Sequence, residues 1–355
     1  DFRAQKRGGK GVAGMQTKEE DVITTLFVAN THTQLLFFTT DGMAYKLKTW
    51  RLPQGGRTSK GKAIVNILPI PPGVSIAAIM PVDRDEEEWG DLQVVFATSA
   101  GTVRRNKLSD FTNVKSNGKI AMKFEDDHAE TTMINARIAS HDDDVMLITN
   151  SGRAIRFPAT DVRVFNSRAS VGVRGIRLNG DDTVVSMSII RHFDATSEER
   201  TAYLKMRRAM AGIADDTETD EEEALADPNF SNERYVEMSA AENLILTISS
   251  QGSGKLSSSH DYPVRGRGGM GVTAMDKAMR GGEIVASFPV EMDDQIMLAT
   301  SKGQSIRVPV EGISFRSRSA GGVKVFNTGK NEVVVSVAWI ADQGDEDDEG
   351  GDTEE

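Results

Sequence analysis

The sequence predicts an all-β architecture in which short antiparallel sheets repeat radially as blades, and three observations carry that prediction. One pattern, an apolar strand, a polar turn ending in glycine and a second strand, occurs five times. The turn glycines Gly42, Gly101, Gly152, Gly252 and Gly303 are 59, 51, 100 and 51 residues apart, a period near 50 once two insertions are allowed. Each hairpin is followed by a loop rich in glycine and cations and then by a short apolar strand. A period of this length in an all-β chain points to blades around a ring and away from a sandwich.

The hairpins span 34–47, 92–105, 144–157, 243–256 and 295–308. Glycine at the end of each turn supplies the positive φ that a tight connection needs. The first insertion is the short acidic run Arg84–Glu88 and the second is Asp194–Glu242. Within the second, Glu198–Ala214 is rich in helix formers, with apolar Leu204, Met206, Met210 and Ile213 near helical spacing. Asp215–Glu223 is too acidic to pack and is expected to be loop or disorder, and Asn232–Ala241 is expected to form a second short helix. The insertion reads as a surface elaboration on one blade; the sharper alternative is a contact site for another protein chain of the same assembly.

The loops at 55–65, 114–122, 166–176, 264–272 and 315–325 hold almost no Asp or Glu. Their cations are the candidate rim contacts: Arg57, Lys60, Lys62, Lys115, Lys119, Arg168, Arg174, Arg265, Arg267, Arg316, Arg318 and Lys324. One such loop alone is an ordinary solvated turn. Five in register place positive charge at the same point of every blade, and on a ring they predict a continuous basic stripe that a polyphosphate can follow.

Net charge at first opposes this, because the chain carries 53 acidic and 42 basic residues. The tail Asp342–Glu355 holds 9 acidic residues and no basic ones, and Asp194–Glu242 holds 14 acidic and 5 basic. The remainder has 30 acidic against 37 basic residues, so the repeated part is basic. Screening beyond about 10 Å makes that local balance the relevant one. The tail at 342–355 is expected to be disordered, either as a polyanion competing for the basic rim or as a solubilising appendage. The absence of cysteine excludes disulfides, thiolate metal sites and cysteine nucleophiles. The most apolar stretch, Val65–Val82, is interrupted by four prolines and is not a membrane span. The five histidines show no metal spacing.

At the N-terminus stands Gln5-Lys6-Arg7-Gly8-Gly9-Lys10-Gly11, in the loop position of a sixth repeat whose hairpin is expected before Asp1. Three cations among glycines suit phosphate oxygens, and glycine lets the backbone approach them. A nucleotide-binding P-loop is excluded, because Gly9-Lys10 is followed by Gly11-Val12 where that motif needs a Ser or Thr.

This heptad resembles the box that distinguishes the C-terminal domain of the DNA gyrase A family from its near relatives; all seven positions agree. The runs Val28–His32, Ile64–Leu68, Val171–Arg177 and Asp294–Met297 are similar to the same family. The resemblance implies a six-bladed β-pinwheel at 1–341, its first blade truncated, with duplex DNA wrapped around the perimeter and held at the box by Lys6, Arg7 and Lys10. It implies that the complete ATP-dependent type II topoisomerase introduces negative supercoils. The partners would be the rest of gyrase A and gyrase B, in a heterotetramer with two copies of each, in the bacterial cytoplasm at the nucleoid. ATP and Mg would bind elsewhere in that assembly and no cofactor is expected here. The family's breakage–reunion region with its tyrosine nucleophile is missing from the sequence, so no catalytic residue is assigned. The alternatives are the related topoisomerase IV domain, which lacks an intact box, and a protein-binding propeller, whose loops would carry aromatics or mixed charge.

Overall fold

Each predicted hairpin is present in the computed structural model, which describes residues 27, 29–55, 61–125, 130–167, 170–210 and 230–340. The first sheet runs in the order β3 (Ile76–Val82), β1 (Gln34–Thr39), β2 (Met43–Lys48), β6 (Lys119–Ile120). The second runs β7 (Met133–Ala139), β4 (Gln93–Thr98), β5 (Thr102–Lys107), β10 (Val173–Arg174). The third runs β11 (Val184–Arg191), β8 (Asp143–Thr149), β9 (Arg153–Pro158), β14 (Val272–Thr273). The fourth runs β15 (Ile284–Val290), β12 (Leu244–Ser249), β13 (Ser253–Ser258), β18 (Val323–Lys324). The fifth has three strands among the described residues, β19 (Val334–Ile340), β16 (Gln295–Thr300) and β17 (Ser305–Pro309).

All pairings within these sheets are antiparallel, and four sheets are completed by two residues from the following repeat. The exchange is fixed at the turn glycine. Its carbonyl accepts N–H groups from the incoming segment: Ala121 and Met122 at Gly42, Gly175 and Ile176 at Gly101, Val325 and Phe326 at Gly252. Gly252 has φ +76°, and a Cβ there would lie 2.3 Å from the Phe326 carbonyl oxygen, so the turn and the exchange both demand glycine. A hydroxyl at the end of every first hairpin strand (Thr39, Thr98, Thr149, Ser249, Thr300) accepts the N–H four residues on at 3.1–3.2 Å. This side-chain bond closes each turn from within.

Alternate residues of a strand face opposite sides, so a hairpin sandwiched between two others must be apolar on both. Leu36 and Phe38 pack with Val94 and Phe96, while Val95 and Ala97 pack with Val145 and Leu147. Phe38, Phe96 and Phe111 meet edge to face with centroids 5.2–5.8 Å apart. The continuous apolar runs of the sequence are this double burial. The strands β3, β7, β11, β15 and β19 touch one another in succession and form the hub. The donated strands lie at the opposite edge of each sheet, the rim.

The insertion is a helix pair, α1 (Ser197–Met210) and α2 (Asn232–Ala240). Its first helix starts with a reciprocal capping box: Thr196 Oγ1 accepts from Glu199 N at 3.2 Å, and the Glu199 carboxylate accepts from Thr196 N at 2.8 Å. Ser231 caps α2 by accepting from Arg234 N at 3.1 Å. Tyr203, Met206 and Met238 are buried, Tyr203 stacks on Tyr235, and His260 shares a hydrogen bond with the Met238 carbonyl at 2.7 Å. Met210, expected on the packed face, is 57 % exposed, because Tyr203 and Met206 define that face.

The short acidic insertion expected at 84–88 has a structural role, and one further expectation is corrected. The insertion leads into a short 3-10 turn (Glu86–Gly90) that buries Trp89, and Glu86 accepts from Lys46 at 2.6 Å and Gln34 at 2.9 Å. The short strand expected around Ile64–Val65 is instead a 3-10 turn (Ile64–Asn66), since no neighbouring hairpin strand runs beside it among the described residues. The heptad at 5–11, the acidic segment at 215–223 and the tail at 342–355 lie outside the described residues. Among those described, no helix is long and apolar enough to cross a membrane.

Candidate nucleic-acid interface

The repeat positions the loop cations by one device. In repeats two to five the chain leaves the second hairpin strand, makes a 3-10 turn such as Leu108–Phe111 or Ser259–Asp261, then crosses to the rim edge of the preceding sheet to donate two residues. Cations just before or within the donated pair therefore sit at equivalent rim positions.

Of the twelve candidate rim residues, Arg57, Lys60 and Arg168 lie outside the described residues. Lys62, Lys115, Arg174, Arg265, Arg267, Arg316 and Lys324 are exposed, and Lys119 and Arg318 are half-buried. Several of them hold backbone oxygens. Lys119 donates to the carbonyls of Asp110 and Asn113 at 2.7 and 2.9 Å, Lys324 to Gln251 at 2.7 Å, and Arg267 to Asp161 and Arg174, both at 3.0 Å. Arg318 apart, none of these cations forms an ion pair with a carboxylate among the described residues. A cation bonded only to neutral carbonyls keeps its full charge toward solvent, which is what a phosphate requires.

Arg318 behaves differently. Its guanidinium turns inward, donating to the Asp261 carbonyl at 2.9 Å and to Thr273, and it lies 3.7 Å from the Asp261 carboxylate. Its role is to tie one rim loop to the next. Sequence reasoning could not separate it from Arg316, two residues earlier and exposed, because the deciding partner is 57 residues away. Arg153 was missed as well. It donates to the carbonyls of Met270 at 3.3 Å and Gly271 at 3.1 Å and so braces the loop that holds Arg265 and Arg267.

None of the four tyrosines is exposed. Tyr45 is buried in a sheet and Tyr262 directly after the 3-10 turn Ser259–Asp261, and burial raises the pKa of all four tyrosines. Among the described residues no three His, Asp or Glu are grouped to hold a metal ion.

The repeat and the ring both have known counterparts. A family model described as the DNA gyrase C-terminal domain, a β-propeller, matches six segments: 1–30, 33–83, 93–132, 143–191, 243–291 and 294–338. The DNA gyrase A protein of Granulibacter bethesdensis is 42 % identical over 366 residues, covering 99 % of this chain and 39 % of the relative. The chain thus spans about two-fifths of the length of that curated relative. A solved DNA gyrase A C-terminal domain superposes with a TM-score of 0.69 at 21 % identity, over 96 % of this chain and 93 % of the other. A topoisomerase IV C-terminal domain superposes with a TM-score of 0.64 at 20 % identity, over 87 % and 79 %.

Proposed function

Because the chain belongs to the DNA gyrase C-terminal domain family, we propose that it binds duplex DNA along its rim loops and bends it around the ring of blades. The observation that carries this reading is the recurrence, at the same edge of successive sheets, of exposed cations with no carboxylate partner among the described residues. Affinity then comes mainly from phosphate neutralisation and counterion release, with log K falling by about 0.9 per contacted phosphate for each unit of log salt. Bending 20–30 bp by 40–90° costs on the order of 1–6 kcal/mol, which many distributed contacts can offset. Few aromatics stand in the loops, so base stacking contributes little and sequence preference is weak.

In the longer enzyme the wrap would present DNA to ATP-driven strand passage, so that negative supercoils accumulate. The rest of gyrase A, gyrase B, ATP, Mg and a bacterial nucleoid setting belong to that wider reading. Gln5–Gly11 would seize the DNA where the wrap begins. The protein-binding alternative is disfavoured by the single sign of the loops, and the topoisomerase IV alternative by the intact heptad.

One assay tests the proposal. The chain is mixed with relaxed circular DNA, a nicking-closing enzyme is added, and linking number is read after deproteinisation. Wrapping gives a shift, and no shift would refute it. Replacing Lys6, Arg7 and Lys10 with Ala should reduce the shift more than it reduces simple binding.

A further inference from the structure

Three residues past each turn glycine stand Tyr45, Arg104, Ile155, Lys255 and Ile306. In sheets two to five the side chain at this position faces the preceding blade, and in sheets one to four it lies beneath the loop arriving from the following repeat. In the second and fourth sheets it is a cation, and both cations have no solvent exposure at all. Arg104 donates to the carbonyls of Ser167 and Ser170, and to Asn106 Oδ1 at 2.8 Å. Lys255 donates to the carbonyls of Ser317 (2.9 Å), Arg318 and Ala320 (2.8 Å). Three carbonyls use all three N–H donors of the ammonium form. No carboxylate among the described residues lies at ion-pair distance from Lys255.

Burying a cation among carbonyls is costly unless its bonds are complete, and sheets one and three do without one. Their loops are braced by cations near the surface, Lys119 in one and Arg153 with Arg267 in the other. The arrangement beneath sheet four has a consequence for anion binding. In a trans peptide the C=O and N–H point in opposite directions. With the carbonyls of Arg318 and Ala320 drawn inward to Lys255, the N–H groups of Ser319 and Gly321 face away from it, on the loop that exposes Arg316. Outward amides beside an exposed guanidinium suit a phosphate oxygen.

We propose that Lys255 is a positioning residue for DNA binding: it holds the 316–321 loop so that Arg316 and the outward amides form one phosphate seat. The inference rests on the DNA-binding reading of the rim and adds what organises it. Burial lowers the Lys255 pKa to about 7, with Asp261 and Asp276 opposing the fall and Arg318 adding to it. A bond set that needs the protonated form therefore weakens across the neutral range.

The test measures affinity of the 355-residue chain for duplex DNA at several salt concentrations in wild type, Lys255→Met, Arg316→Ala and the double variant, with thermal melts alongside. If Lys255 acts through the Arg316 seat, K255M weakens binding several-fold and lowers the salt slope by about 0.9 to 1.8, one or two phosphates. The double variant then binds no worse than K255M alone. A lower melting temperature with unchanged affinity and slope, or losses that simply add, would overturn the proposal. If K255M does not fold, wild-type affinity is followed from pH 6.5 to 9. A several-fold fall through the neutral range supports the proposal, and a flat profile overturns it. Failure of wild type to bind DNA at all would refute the DNA reading itself.

Discussion

The helical insertion and the rim loops are both rich in charge, yet they use it in opposite ways. In the insertion each principal arginine meets carboxylates: Arg234 bonds Glu199 at 2.8 Å and Glu237 at 2.9 Å, and Arg207 reaches Glu242 at 3.3 Å. On the rim the described cations other than Arg318 meet backbone carbonyls or solvent. Paired charge fixes the geometry of the helix pair and cancels its field, while charge set against neutral dipoles remains available to a ligand. The same residue types thus serve structure in one region and recognition in the other, and the partner decides which.

The largest effect is expected at the foot of the insertion, where charge is wholly structural. Asp144 is fully buried, accepts from Arg156 Nε at 2.7 Å and shares a hydrogen bond with His192 Nδ1 at 2.8 Å. Replacing Arg156 with Leu strands that carboxylate and should lower unfolding free energy by about 3–5 kcal/mol in urea titrations. Replacing the rim pair Arg265 and Arg316 with Ala should do the reverse. Stability should stay within about 0.5 kcal/mol, while the slope of log K against log salt drops by roughly 0.9 for each phosphate lost.

Arg234→Ala removes two partly exposed ion pairs and should cost about 0–1 kcal/mol for each, with DNA affinity unchanged. A loss of affinity there would erase the distinction between the two regions. The smallest effect belongs to His192. Partial burial opposes its protonation, but hydrogen bonds to Asp144 and Asp194 prevail and raise its pKa. The stability it adds is complete below the ordinary histidine value of about 6.5 and is lost as pH rises through its own elevated value. Melting temperature should fall slightly across that window in wild type and stay level in His192→Gln.

Turn glycines at a common period announce the hairpins in the sequence, unbroken apolar runs announce burial on two faces, and Glu198–Ala214 announces a helix. Strand exchange is not legible there, because a two-residue strand such as Val173–Arg174 is too short to show periodicity. The fate of individual cations is equally hidden. Arg104 and Arg105 are neighbours in one strand, and both are buried, but on opposite faces of the sheet. Arg316 and Arg318 differ only in what the fold brings near them. Composition reports how much charge a segment holds, whereas a carbonyl or carboxylate contributed from 50 or more residues away determines where it points.

Completion of a sheet by the next repeat, seen in four of the five described sheets, also bears on how such a ring can change in evolution. A blade here is not a self-contained brick. Deleting one repeat would leave its upstream neighbour with a bare edge and a turn glycine whose carbonyl has lost its amides. Duplicating one inserts cleanly only if the new copy both receives and gives a strand at the same register. Blade number should therefore drift slowly while loop sequences diversify freely, and the melting of one unit should loosen the unit before it in the chain more than the unit after it.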